Sequence, residues 1–358
     1  MSDLDKYLQN DLEEAVIAFS DRVRKEYLKR LDKQEKKKFV ENPVCQKVYE
    51  SDNIKLNHTD LSMGTVIKRY TAEFYEQYSH LDRNIQCAIM LGLNSILDLT
   101  GDKRIPPYQS HLFHSNDWKL LQKKFKRVFT KIDMFDNKTI IKKVSHIEKV
   151  VLGSVEKAYD EAAKAESNAH IATEADIFAI YYHVLEILQF SIQPDQQIAS
   201  DDDDVMKWPR VIETVFRRGN LRCEWQKIKT GNLELQIKSK IERTSDTTQS
   251  DGSAATDKIK LLITSKLILD HLLATTENQD DIAVPALHLC GHEIKLISLR
   301  LAADGVYVAV MEGFSRFPRS ATDLHVLRKI INILYKFKVN ILYYLHVILN
   351  PSYINSLG

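Results

Sequence analysis

Apolar residues recur every three or four positions from Leu8 through Leu12, Val16, Phe19, Val23, Tyr27 and Leu31, with Asp, Glu, Lys and Arg between them. That period lays one apolar stripe along a helix. Its length of three to four heptads leaves room for coiled-coil pairing, although packing within the domain is the expected use. The charged run DKQEKKKF closes it, and Asn42-Pro43 breaks the backbone, because a residue before proline avoids the helical region. The same spacing predicts helices from Met63 to Tyr78, Leu81 to Leu99, Trp118 to Lys131 and Thr139 to Glu166. Between the second and third of these, Gly101-Asp102 and Pro106-Pro107 mark a loop. From Ala172 to Gln189 the pattern is apolar on most sides, which predicts a buried helix, with Thr173 and Asp176 forming a capping-box-like start.

From Trp208 the period changes. A short helix, WPRVIETVF, precedes two strand-like runs, Leu221 to Ile228 and Leu233 to Ile241, separated by the turn signal Thr230-Gly231-Asn232. The stretch RTSDTTQSDGSAAT lacks large apolar residues and is expected to be a loop. After the helix DKIKLLITSKLILDHLL come three strands, near Ala283 to Leu289, Glu293 to Leu301 and Val306 to Phe317, with Asp304-Gly305 as a turn. Apolar helices from Leu324 to Leu349 close the pattern, and Arg328, Lys329, Lys336 and Lys338 mark them as packed rather than membrane-spanning.

Composition sets the bounds on function. A chain of 358 residues is long enough for about two domains. With 44% hydrophobic and 28% charged residues it is expected to bury a full core. Fifty Lys and Arg against 49 Asp and Glu give +1, which excludes a uniformly basic coat and leaves charged partners to a local patch. The polar, acidic start MSDLDKYLQNDLEE and the absence of an 18-residue apolar run predict an intracellular protein without a membrane span, nuclear or cytoplasmic alike. Cys45, Cys87, Cys223 and Cys290 lie far apart and form no C-x-x-C pair, so they are expected to be reduced thiols.

Four places invite chemistry. His288, Cys290 and His292 in HLCGH sit at alternate positions of a strand, but Gly291 is expected to turn the chain there, so packing is the favoured reading over metal ligation. The aspartates of ASDDDD point in different directions along a linker and read as a solvated loop. In LELQIKSKIE, Gln236-Ile237-Lys238 spaces a metal-ligating amide and an ammonium two apart, on one face of a strand. Glu234 precedes them on that face, Glu224 lies on the preceding run, and Glu213 projects from the short helix. Finally, between Trp118 and Val150 ten cations face three acids, a net of +7. Lys123, Lys124, Lys126, Arg127 and Lys131 are the candidate phosphate contacts there. Trp118, Phe125 and Phe129 are either core residues or base-stacking platforms. The run from Lys123 to Arg127 also has the form of a short nuclear-import signal.

The segments ATEADIFAIYYHVLEIL, WPRVIETVFRRGN, DKIKLLITSKLILD and GVYVAVMEGFSRFPRSATDLHVL resemble a widespread group of uncharacterised fungal proteins whose core is similar to PD-(D/E)XK nucleases. The similarity spans roughly the second half of the chain. It implies an αβββαβ core of restriction-endonuclease-like form and Mg²⁺ held by an Asp and a Glu or Gln on adjacent strands, with a Lys near the attacking water. Carried onto this sequence, Glu213, Glu224 and Gln236 would hold Mg²⁺ and Lys238 would stand by the water. The chain departs from the pattern where the usual Asp of a middle strand has no counterpart, and the segment between the runs is too short for that strand. The sequence therefore predicts an α+β protein: a helical domain over residues 1–168, a nuclease-like domain with a mixed sheet over 169–350, and a short tail at 351–358. The expected function is association with DNA or RNA, with cleavage impaired or lost. The alternative is a non-enzymatic protein that binds a protein partner through its N-terminal helices, with the nuclease-like domain as scaffold.

Overall fold

The computed structural model describes residues 54–58, 61–75, 77–81, 83–101, 108–126, 129–191, 208–217, 224–227, 233–236, 240–244, 251–275, 282–303 and 305–349. The long N-terminal stripe from Leu8 to Leu31 and the tail at 351–358 lie outside them, as do Cys45 and Cys223. Cys87 and Cys290 are free thiols.

In chain order the helices α1 (Met63–Tyr75) and α2 (Arg83–Leu93) lead into the short strand β1 (Ile96–Asp98). Four helices follow: α3 (Ser115–Lys124), α4 (Lys138–Val150), α5 (Val155–Ser167) and α6 (Ala172–Ser191). Next come α7 (Trp208–Phe216), the strands β2 (Glu224–Lys227), β3 (Leu233–Gln236) and β4 (Lys240–Thr244), and the helix α8 (Asp251–Thr275). The meander β5 (Ala283–Cys290), β6 (Glu293–Ala303), β7 (Val306–Arg316) precedes the last helix, α9 (Leu327–Leu349). The protein is thus α+β, as expected.

The apolar meander is the centre of a mixed sheet in the order β1-β7-β6-β5, continued by β4, β3 and β2. β5, β6 and β7 pair antiparallel in sequence order, whereas β1 joins β7 in parallel and β4 joins β5 in parallel through α8. Gly291 (φ 53°) and Gly305 (φ 69°) occupy the two hairpin turns, where a left-handed backbone favours glycine. Seven of the eight β5 residues and the first seven of β6 are buried, so both faces of these strands need cover. One face, through Leu287, Leu289, Ile294 and Leu296, packs with α4, α5, α6, α7 and α9. The other, through Val284, Ile297, Leu299 and Ala309, packs with α2 and α8. At the β1 edge a third cluster joins Leu97, Leu99, Val308 and Val310 to α1 and α3. Position 168, where the sequence suggests a domain boundary, falls between α5 and α6, and both helices contribute to the first of these cores.

Several local readings are corrected. The run expected as one helix from Leu81 to Leu99 ends at Leu93 and is followed by β1, because a strand of three residues is too short to show its period beside a helical pattern. The helix expected from Trp118 to Lys131 spans Ser115–Lys124, and the helix expected from Thr139 to Glu166 is two. The second break lies at Ser154, whose extended backbone and side-chain oxygen, accepting from the Lys157 amide at 3.2 Å, start α5 afresh. The run from Leu233 to Ile241 splits into antiparallel β3 and β4, so a middle strand exists where the spacing left no room for one. Residues 251–256, expected in a loop, form the start of α8.

Buried polar groups tie the layers together. Lys258 of α8 donates to Asp98 Oδ2 at 2.5 Å and to Thr100 Oγ1 at 2.5 Å, just beyond the end of β1. Gln109 accepts from the Asp98 amide at 2.8 Å and donates to the Ile96 carbonyl at 3.0 Å, and so occupies backbone groups of β1. Across the sheet, an irregularity in the β6–β7 register places Glu312 against α9, where it accepts from Lys336 and Ser298 at 2.9 Å each. Gly313 beside it lets α9 approach, since a Cβ there would lie 2.8 Å from Ile333.

Removing one partner of a buried ion pair strands the other charge. Lys258→Ala is therefore expected to lower the unfolding free energy by about 3 to 5 kcal/mol, with part of the loss recovered in Asp98→Ala/Lys258→Ala. Denaturant unfolding measures both, and a single-variant loss below about 1 kcal/mol would contradict the role given to this pair.

Candidate functional site

The residues expected to hold Mg²⁺ are only partly brought together. Glu224 and Gln236 are direct register partners across β2 and β3, the arrangement in which two residues of neighbouring strands stand side by side. Glu213 is exposed on α7. Lys238 lies outside the described residues, between β3 and β4. β3 ends at Gln236, and the chain returns antiparallel as β4 from Lys240.

An acid-x-lysine spacing does occur inside the sheet, on β6. Glu293 and Lys295 are both buried, with Lys295 Nζ 3.4 Å from Glu293 Oε2, and Arg316 of β7 donates to Glu293 Oε1 at 3.2 Å. His288 of β5, buried as well, is the register partner of Lys295 and in turn of Glu242 on β4. The same two-residue rule applied to LELQIK identifies Glu293-Ile294-Lys295 in the sequence, but the apolar surroundings of that strand draw attention to packing instead. Held between an ammonium and a guanidinium, the Glu293 carboxylate is neutralised where it stands, and a metal ion would have to displace a cation to use it. Among the described residues no group of three His, Cys, Asp or Glu side chains is placed to hold a metal ion. Gly291 makes the expected turn between His288 and His292.

The cationic segment is built differently. Its first helix, α3, is pinned at its start by Asp117, which is 1% exposed and accepts from the Asn57 amide at 3.0 Å and from His58 Nδ1 at 3.1 Å. Burial acts to raise the Asp117 pKa, but these two hydrogen bonds and the His58 charge outweigh it and hold the carboxyl below its usual range. The His58 ring stacks on that of His114, the N-cap of α3, with centroids 4.0 Å apart. Leu121 and Phe125 turn inward to the β1 edge, and Phe129 packs beyond them on Ala283, the first residue of β5. Met134 then ties to α9, its amide donating to Asn332 Oδ1 at 2.9 Å. Phe125 and Phe129 are therefore core residues and not stacking platforms, and Trp118 is half-buried against Phe113.

With the aromatic side fixed inward, the cations face out. Lys119, Lys123, Lys124, Lys126, Lys131, Lys138, Lys142 and Lys149 are exposed, and Arg127 lies outside the described residues. Two of the three local acids are engaged elsewhere. Glu148 accepts from Arg328 Nε at 2.9 Å and from Tyr181 at 2.7 Å, and Asp133 accepts from the Phe135 amide and from Asn332. Of the lysines, Lys143 is paired, 2.8 Å from Glu174. The Phe129 end of this segment stands apart from the β5–β6 polar cluster. Phe129 marks the start of β5, and His288 lies five residues further along it, about 17 Å away at the strand rise.

No family model, curated protein or solved structure matches the chain. Among the described residues no helix is long and apolar enough to cross a membrane.

The Lys143–Glu174 pair yields a pH test. The hydrogen bond from Lys143 holds the Glu174 pKa below its usual value, against the opposing effect of burial. The folded carboxyl thus ionises at lower pH than the unfolded one, so its stabilisation is complete above the ordinary Glu range near about pH 4.3 and is lost as pH falls through the folded value. Denaturant midpoints at descending pH are expected to show wild type above Glu174→Gln at neutrality and the gap closing in acid. A gap that widens in acid would contradict the assignment.

Proposed function

We propose that the protein binds nucleic acid through the lysine surface of the segment from Lys119 to Lys149, on a scaffold of PD-(D/E)XK-nuclease form whose cleavage is impaired or lost. One observation carries the reading: eight exposed lysines stand on one continuous segment while Glu148 and Asp133 in that segment are occupied by other groups. Cations so arranged neutralise backbone phosphates, displace counterions and bind without regard to sequence.

The scaffold part of the reading is supported by the order α7-β2-β3-β4-α8-β5, a helix, three strands, a helix and a strand, with β4 and β5 parallel across the α8 crossover. That is the αβββαβ order the family resemblance implies. Loss of cleavage is supported by the acid-x-lysine pair on β6, whose carboxylate is already held by two cations. If Mg²⁺ bound at all, Glu224 and Gln236 would be the adjacent pair to hold it, and the ion would polarise a phosphodiester.

A gel-shift assay with labelled single- and double-stranded DNA and RNA tests this, with Mg²⁺, Mn²⁺ or chelator present. Retardation is expected to weaken steeply between about 50 and about 200 mM salt, with no cleavage products under either metal. Lys123→Glu/Lys126→Glu is expected to weaken binding at low salt by about tenfold or more and to flatten the salt dependence. Metal-dependent cleavage would overturn the loss of activity, and the absence of any shift would overturn the nucleic-acid reading itself.

A further inference from the structure

An open surface depression of about 510 Å³ lies beside the cationic helix, lined by Leu99, Gln122, Phe125, Lys126 and Val310. Its construction follows from the way α3 meets the sheet edge. Leu99 continues β1 alongside β7, its amide donating to the Ala309 carbonyl at 2.9 Å, so Leu99 and Val310 supply an apolar floor from two adjacent strands. Phe125 closes one side. Its ring is flanked by the Arg300 guanidinium at 5.4 Å and the Lys124 ammonium at 5.8 Å, which surround the apolar wall with positive charge. Gln122 and Lys126, four apart and both exposed, form the rim.

The chemistry of this lining is sorted by position. The floor is apolar and formed by side chains of neighbouring strands, suited to a flat ring. The Gln122 amide carries both a donor and an acceptor and can pair with the edge of a base, as a side-chain amide pairs with adenine. Lys126 brings an ammonium to the mouth, and Lys119 and Lys123 extend the charge along the same helix. An anionic lipid would satisfy the floor and the lysine but would leave the amide unused. Resting on the nucleic-acid reading above, we propose that the depression receives one nucleotide of a single strand, base inward over Leu99 and Val310 and beside the edge of Phe125, with Gln122 at the base edge and Lys126 on the phosphate. A base paired and stacked in a duplex has no free face to lay on this floor, so the depression favours unpaired over duplex nucleic acid.

The test uses the full chain with single-stranded DNA and RNA oligonucleotides carrying 2-aminopurine, whose fluorescence reports stacking, and compares Gln122→Trp, which fills the mouth, with Lys126→Glu and with Lys149→Glu on α4, outside the lining. Circular dichroism verifies that each exposed-site variant remains folded. The expected result is a fluorescence change in wild type that is lost in Gln122→Trp, with affinity for single strands reduced at least fivefold by Gln122→Trp and tenfold by Lys126→Glu, on the order of several single contacts, against about twofold for Lys149→Glu. Binding that is unchanged by Gln122→Trp, with equal losses for the two charge reversals, would overturn the depression as a nucleotide site while leaving the cationic surface intact. No binding by wild type to either strand would overturn both.

Discussion

The meander β5-β6-β7 is buried on both faces, and the rest of the molecule is organised by the need to cover it. A sheet with one wet face would need one layer of helices, but this one needs two. α8 and α2 supply one layer, and the helices α4 to α7 with α9 supply the other. The N-terminal half is thereby drawn into the same cores as the C-terminal half: α4 and α5 pack in the larger core, and β1 becomes a strand of the sheet itself.

Two-sided burial also decides where charge can stand. Inside, ions survive in matched sets: Lys258 with Asp98, Lys336 with Glu312, and Lys295 and Arg316 with Glu293. Each joins neighbouring layers or strands, and in each the carboxylate is already paired with at least one cation, which suits fastening better than catalysis. Outside, the segment that crosses from α3 to α4 spends its aromatic residues on the sheet and leaves its lysines to solvent. The cationic face is thus a consequence of how the core is closed.

The strands of the meander were legible because Gly291 and Asp304-Gly305 punctuate long apolar runs, and α6 because its apolar residues surround the helix. The basic segment was also legible as composition, but whether Phe125 and Phe129 point inward depends on contacts with β1, β7 and Ala283 that no local period encodes. β1 was hidden because it has only three residues and is held by a parallel partner about 210 positions away, with Ile96 opposite Tyr307. The same holds for Asp117, whose partners Asn57 and His58 lie about 60 residues upstream. Of the proposed metal set, Glu224 and Gln236 lie on adjacent runs of the sequence and are register partners in the sheet. The break between β3 and β4 was not legible, since LELQIKSKIE alternates smoothly through it.

The central claim is that nucleic acid lies along the lysine segment and not at the β5–β6 hairpin. Photo-crosslinking of a single strand carrying 4-thiouridine, followed by mass spectrometry of the adducted peptides, tests it most directly. The account predicts adducts concentrated on peptides between Lys119 and Lys149, competed away by salt. Adducts centred on peptides containing Glu293 and Lys295, with the lysine segment unmodified, would contradict it.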